Sequence, residues 1–257
     1  MSRAPSEAES WKRMVLRAMP PPAWLGIDAP HMDVVLSSRC RIMRNLRGRR
    51  FPHLAEPEEA QEIAAEILQA ARESGFGFDI HKRLSPAERE HLVGCRLISP
   101  DFGWQEVGRA VLLDSERAAC VMVNEEDHLR VQALTAGWSL SSAEQKSESA
   151  LDALGANLQF AWSPRFGFLS ASPFNAGTGR RLSAMFHLIG LASSRRLSSV
   201  IRALSSRGIV ARGLFGESSR AVGAFVQVSA TNVGLSDFLG ACEYLRREER
   251  LARQALG

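Results

Sequence analysis

Apolar positions along the chain fall into two periods. Trp11, Met14, Val15 and Ala18 recur at helical spacing and predict a short first helix, stopped by Pro20, Pro21 and Pro22. Ala60, Ile63, Ala64, Ile67, Leu68 and Ala71 predict a stronger one, opened by Pro57, with Glu58 and Glu59 in its first turn and Gly75 and Gly77 beyond its end. Ser85 and Pro86 start a shorter helix. Ala150, Leu151, Leu154, Leu158 and Ala161 stripe a helix over 142–160. A further helix over 193–206 is closed by Gly208, and a long, charged one fills 236–255. Short apolar runs at 34–36, 110–113, 119–123, 167–170, 209–214 and 224–228 read as strands, and polar residues 114–117 make the second and third a hairpin. Strands in hairpin-like pairs with helices appended predict an α+β fold, a largely antiparallel sheet flanked by helices.

Length and composition narrow the class. With 257 residues, 45% hydrophobic and 23% charged, the chain has material for a buried core and is neither disordered nor fibrous. The weakest stretch is 75–80, which divides an N-terminal segment, 1–80, from the remainder, 81–257. Cys40, Cys95, Cys120 and Cys242 form no C-x-x-C pair and the six histidines no H-x-x-x-H pair, so neither a zinc site nor a disulfide framework is expected. Without a signal-peptide core or an apolar run of about 18 residues, the expectation is a cytoplasmic protein with no membrane partner. Of 32 basic residues only Lys12, Lys82 and Lys146 are lysine, leaving 29 arginines. Codon bias accounts for an arginine-rich surface; planar forks for carboxylate or phosphate are the alternative, and position decides between them.

Four polar segments are candidates for chemistry. At 36–41 (LSSRCR) an apolar strand runs into Ser37 and Ser38, then Arg39 and Arg41, separated by Cys40. Residues i and i+2 of a strand face the same way, so the two guanidinium groups address one ligand, as a polyphosphate requires. At 124–130 (NEEDHLR) three consecutive acids follow a strand, suited to a cationic substrate or a general base, with Arg130 close by. At 173–181 (PFNAGTGRR) glycines two apart let backbone approach a ligand beside Arg181, although neither glycine-rich phosphate motif is matched. At 212–217 (RGLFGE) an arginine, two glycines and an acid end a strand. Taken singly, these segments also read as a solvated edge, an acidic turn, a glycine loop and a β-turn.

In this order and spacing the four segments resemble the ATP:guanido phosphotransferases, and among them the bacterial protein-arginine kinases, over residues 33–253 as a single unit. The resemblance implies a guanido kinase catalytic-domain fold with MgATP across the sheet. It implies a phosphate clamp of Arg39, Arg41, Arg130 and Arg181. The nucleotide would be lined by Ser37, Ser38, Arg39, Cys40 and Arg41; by Arg181, Leu182, Ser183, Ala184 and Met185; and by Arg212, Gly213, Leu214, Phe215, Gly216 and Glu217. Glu126 would be the catalytic carboxylate, assisted by Glu217, and Mg²⁺ would be held through the nucleotide rather than by protein ligands. The implied partners are ATP and a protein presenting arginine, with a homo-dimer or an activator as a further possibility.

This sequence departs from the family pattern at Ser172, where a reactive cysteine is usual, at Arg220, where phosphagen-type members carry a glutamate, and at Arg96, where a histidine often precedes the Ile98-Ser99-Pro100 string. The sequence ends at Gly257, where protein-arginine kinases usually continue into another domain, and the separate helical N-terminal domain of phosphagen kinases is not expected. Three functions follow as expectations: an arginine kinase; a pseudokinase that binds ATP and regulates a partner; and a nucleic-acid binder using residues 39–50. The last is disfavoured by a net charge of only +4 and by the acids at 125–127.

Overall fold

A computed structural model describes residues 21–102, 107–213 and 222–257. The expected helix at 11–18, and Leu214, Phe215, Gly216, Glu217 and Arg220, lie outside the described residues. The strands are β1 (Val35–Arg44), β2 (Asp79–His81), β3 (Ala110–Leu113), β4 (Ala119–Val123), β5 (Leu129–Ala136), β6 (Trp162–Ser163), β7 (Gly167–Phe168), β8 (Arg180–His187), β9 (Val210–Gly213) and β10 (Phe225–Thr231). The α-helices are α1 (Pro57–Glu73), α2 (Pro86–Gly94), α3 (Leu140–Gly155), α4 (Ile189–Ser193), α5 (Leu197–Ser205) and α6 (Leu235–Leu256). Eight strands form one sheet in the order β2-β3-β4-β5-β1-β8-β10-β9, with every neighbouring pair antiparallel. The α+β expectation holds, and β1 lies near the middle of the sheet.

Alternation along the strands gives the sheet two unlike faces. One carries Cys40, Ile42, Val131, Ala133, Leu182, Ala184, Val226 and Val228, buried beneath the helices in one large core. Helix α3 lies against β1 and β5, and α6 against β8 and β10. The other face is apolar only at one end, where Val111, Leu113, Cys120 and Met122 join Leu92, Leu97 and Phe102 in a second cluster. Across β5, β1, β8 and β10 that face turns polar, and the site lies there.

Two helix expectations change. The helix over 142–160 ends at Gly155, and Phe160 pairs with Leu46 in an isolated bridge. The helix expected over 193–206 begins later, as α5 from Leu197, because Arg195 takes φ 57° between it and the short α4 that ends at Ser193. Strands β5 and β8 were not anticipated.

Gly108 joins helix to sheet. Its φ of +77° disfavours a side chain, and a Cβ there would sit 2.5 Å from the Ala60 carbonyl oxygen in α1. Asn124 spans the same junction, donating through Nδ2 to Ala60 O (2.9 Å) and Gly108 O (2.8 Å). Gly108→Ala is expected to destabilise the fold by about 2–3 kcal/mol, because backbone strain and a backbone clash coincide. A melting temperature equal to that of the unaltered protein would refute this.

Candidate functional site

Antiparallel register sets the site, since cross-strand partners share a face. One row across the sheet reads Cys120, Gln132, Arg41, Arg181, Thr231; the next reads Leu134, Arg39, Ser183, Ser229, Val210. Beyond the first row Arg130 stands opposite Met43, and beyond the second Met185 pairs with Gln227, which pairs with Arg212. Arg39, Arg41, Arg130 and Arg181 therefore come together on one face, with Arg41 and Arg181 directly opposed. Like charges so placed are unfavourable, and here they are also half-buried.

Side chains around the cluster fix these guanidinium groups. Arg39 Nε donates to Ser183 Oγ (3.2 Å), Arg181 Nη2 to Ser229 Oγ (2.7 Å) and Arg130 Nη1 to Glu125 Oε1 (2.6 Å). Burial, then repulsion from Arg96, Arg130, Arg41 and Arg181, pushes Arg39 well below the ordinary arginine range. Burial, then Arg130 and Arg181, pushes Arg41 down to about 9. Guanidinium groups crowded in this way are unfavourable, and a bound anion would relieve the crowding. The Nε atoms of Arg41 and Arg130 are buried without a hydrogen-bond partner. Surplus positive charge with vacant donors fits a polyphosphate.

Arg96, read from sequence only as a departure, joins this group. Its φ is 59°, and its Nη2 donates to Gln227 Oε1 (2.8 Å). With Ser37, Arg39, Ser183, Met185 and Gln227 it borders a narrow crevice of about 10 Å³. The alternate residues of the same strands face the other way. Ser38 donates to Gly137 O (2.9 Å), and Cys40, Leu182 and Ala184 belong to the helix-covered core. Burial pushes the Cys40 thiol up to about 11. Arg212 and Gly213 end β9 beside β10.

The three consecutive acids receive three different environments. Asp127 is fully buried: Oδ1 accepts from Asn45 Nδ2 (2.5 Å) and Ala171 N (2.7 Å), and Oδ2 from Ser170 Oγ (2.7 Å). Glu125 accepts from Arg130, from Ser99 Oγ (2.7 Å) and from Glu126 N (2.8 Å). Burial raises its pKa, but Arg130 and these hydrogen bonds prevail and hold it below the usual carboxylate value. Glu126 is exposed, and its side chain accepts only a long hydrogen bond, from Asn175 Nδ2 at 3.3 Å, among the described residues. Asn175 also accepts from Arg41 Nη2 (3.5 Å), so it bridges the arginine face and Glu126. Gly179 lets its loop meet β1, for a Cβ there would lie 2.6 Å from Met43 O. Ser172, half-buried, stands two residues beyond Ser170.

His128 is buried and structural. Its Nδ1 accepts from Leu46 N (2.9 Å), so Nε2 carries the proton and donates to Arg50 O (2.7 Å). Burial holds its pKa below the ordinary 6.5. As pH falls below 6.5 the unfolded chain takes up a proton that the folded chain resists, and stability declines until the folded value is passed. The expected loss is up to ~1.4 kcal/mol per pH unit, present in unaltered protein and absent from His128→Gln, as read by denaturant melts between pH 7 and 5. Equal slopes would refute the assignment.

A cavity of about 420 Å³ opens beside Glu125 and Glu126, walled by Pro52, His53, Ala60, Asn124 and Ala171. A second cavity, about 870 Å³, lies away from the arginine face, between α1 and residues 82–85. Among the described residues no group of three or more His, Cys, Asp or Glu side chains is arranged to hold a metal ion, and no helix is long and apolar enough to cross a membrane.

Comparison with known proteins supplies the context. The profile of the family described as ATP:guanido phosphotransferase, C-terminal catalytic domain, matches residues 59–241. A protein named protein-arginine kinase from Pelotomaculum thermopropionicum is 37% identical over 218 residues, spanning 80% of this chain and 60% of that protein. Another of the same name, from Shouchella clausii, is 34% identical over 265 residues, spanning 96% of this chain and 72% of that protein. A duplicated taurocyamine kinase from Schistosoma mansoni, solved with bound transition-state analogue components, shares the fold. Its TM-score is 0.77 at 20% identity, over 91% of this chain and 35% of that one.

Proposed function

The chain belongs to the ATP:guanido phosphotransferase family, and from that premise we propose that it transfers the γ-phosphoryl group of MgATP to a guanidinium nitrogen of arginine residues in proteins, with residues 33–253 acting as one catalytic unit. The observation that carries the reading is the pairing of an arginine-lined sheet face with a single exposed, lightly engaged carboxylate beside it, Glu126.

Phosphoryl transfer needs alignment and charge neutralisation more than covalent help. Arg39, Arg41, Arg130 and Arg181 would bind the phosphate oxygens. Ser37, Ser183, Met185 and Arg212 would border the nucleotide, and so would the Ser38, Cys40, Leu182 and Ala184 backbone, since those side chains point into the core. Leu214, Phe215, Gly216 and Glu217 complete the proposed set. Mg²⁺, which favours phosphate and water oxygens, would arrive on the nucleotide and neutralise part of its charge.

The acceptor guanidinium, with a pKa above about 12, has no free nitrogen lone pair until a proton leaves. Glu126 would pair with it in the 420 Å³ cavity, turn one nitrogen towards the γ-phosphorus and take its proton. The N–P bond forms as the bond from phosphorus to the β,γ-bridging oxygen breaks; ADP leaves, and the proton passes from Glu126 to water. Glu125, already occupied by Arg130 and Ser99, would hold that arginine in register. A pseudokinase finds no support: the relatives are named kinases.

Incubation with MgATP and an unfolded, arginine-containing protein tests the proposal. Acid-labile phosphoarginine should appear by mass spectrometry at neutral pH. Its absence, with nucleotide bound, would sink the proposal.

A further inference from the structure

The two large cavities are neighbours, since Val107 and Arg109 line both. They lie side by side, the smaller at Glu126 and Ala60 and the larger at Gln61, Ala64, Ala65 and Leu68 of α1 and the segment at 82–85. Apart from Arg109, which lines both, the two differ in charge. Glu125 and Glu126 line the smaller cavity, whereas the charged residues lining the larger one are Lys82, Arg83 and Arg109. Lys82 and Arg83 are exposed, and neither forms an ion pair with another described residue. Arg109, at the junction, lies 5.1 Å from the centre of the Phe102 ring. Ala64, Ala65 and Leu68 of α1 also line the larger cavity.

Adjoining cavities negative at the reacting end and positive further along match a polypeptide with opposite charges in that order. We propose that they act as one trench that holds the substrate chain, with the acceptor arginine at Glu126 and an acidic residue nearby in the substrate sequence against Lys82 and Arg83. The proposal rests on reading the Glu126 cavity as the guanidinium site. A nucleic acid fits less well, because its phosphates would abut Glu125 and Glu126. Lys82 and Arg83 are thereby specificity residues: they touch the substrate away from the reacting atoms, so they select among arginines without altering nucleotide binding.

Two fluorescent peptides test this, each with one arginine, flanked by Asp and Glu in the first and by Asn and Gln in the second. Anisotropy with the full chain and ADP should show the acidic peptide binding about 10-fold more tightly, the scale of two exposed ion pairs. In the Lys82→Glu, Arg83→Glu double variant that preference should vanish while ADP affinity stays the same, which also reports an intact fold. Equal binding of the two peptides, or a preference that survives the double reversal, overturns the trench. Phosphoarginine formation on both peptides is followed separately. If none forms while peptide discrimination persists, the trench stands and the transfer reaction fails.

Discussion

Glu126→Gln is expected to slow phosphoryl transfer to arginine about 10³-fold while leaving ATP affinity within about twofold. The size follows from the unequal use of the three acids. Asp127 is saturated by Asn45, Ser170 and Ala171, and Glu125 by Arg130, Ser99 and the Glu126 backbone. Neither can turn to a substrate without breaking the loop or the arginine face. Glutamine keeps the shape of Glu126 and can still accept from Asn175, but it cannot neutralise a guanidinium or take its proton. The loss should therefore fall on kcat, as a group used mainly in the transition state requires. Single-turnover transfer and an ATP titration on the same preparation provide the measurement. Transfer within tenfold of the unaltered protein would remove Glu126 from the reaction. An equal loss of ATP binding would show that it supports the nucleotide face instead.

Arg41→Met should weaken ATP binding about 10²-fold and at the same time stabilise the apo protein by about 1 kcal/mol. Both effects have one cause. Arg41 stands directly across from Arg181, is half-buried, and has a buried Nε without a partner. Methionine retains most of the packing volume and removes the repulsion, so the empty fold gains. A polyphosphate loses a charge-assisted, two-pronged contact, so binding suffers. Calorimetric ATP titration and thermal melts without nucleotide should move in opposite directions. If the melting temperature falls, Arg41 is a structural cation; if ATP affinity holds, the clamp does not include it.

Much of the architecture was legible in local pattern. Pro57 and the stripe from Ala60 to Ala71 marked α1, and the uninterrupted apolar runs marked β3 and β4. Strands β5 and β8 were missed although the signal was present. In β8, Leu182, Ala184 and Phe186 alternate with Arg181, Ser183 and Met185; in β5, Val131 and Ala133 alternate with Arg130 and Gln132. Their polar positions obscure the alternation, because a sheet face bearing arginines is unusual in a folded interior, and that departure is itself the mark of a binding surface. The helix over 193–206 starts late for another reason: periodicity alone does not register Arg195 in a left-handed conformation, which separates α4 from α5.

By itself, the sequence determined the chemistry available: Arg39 and Arg41 two apart in a strand, Arg130 and Arg181 in polar segments, and three acids in succession. It also determined that side chains at i and i+2 would share a face, because that follows from local strand geometry. Tertiary structure decided the rest. Register between distant strands set Arg181 opposite Arg41, and folding brought Asn45, Ser170 and Ala171 to Asp127, and Arg130 and Ser99 to Glu125, leaving Glu126 exposed beside a cavity. Three carboxylates of equal chemistry become unlike only when long-range hydrogen bonds occupy two of them, and no local pattern carries that information.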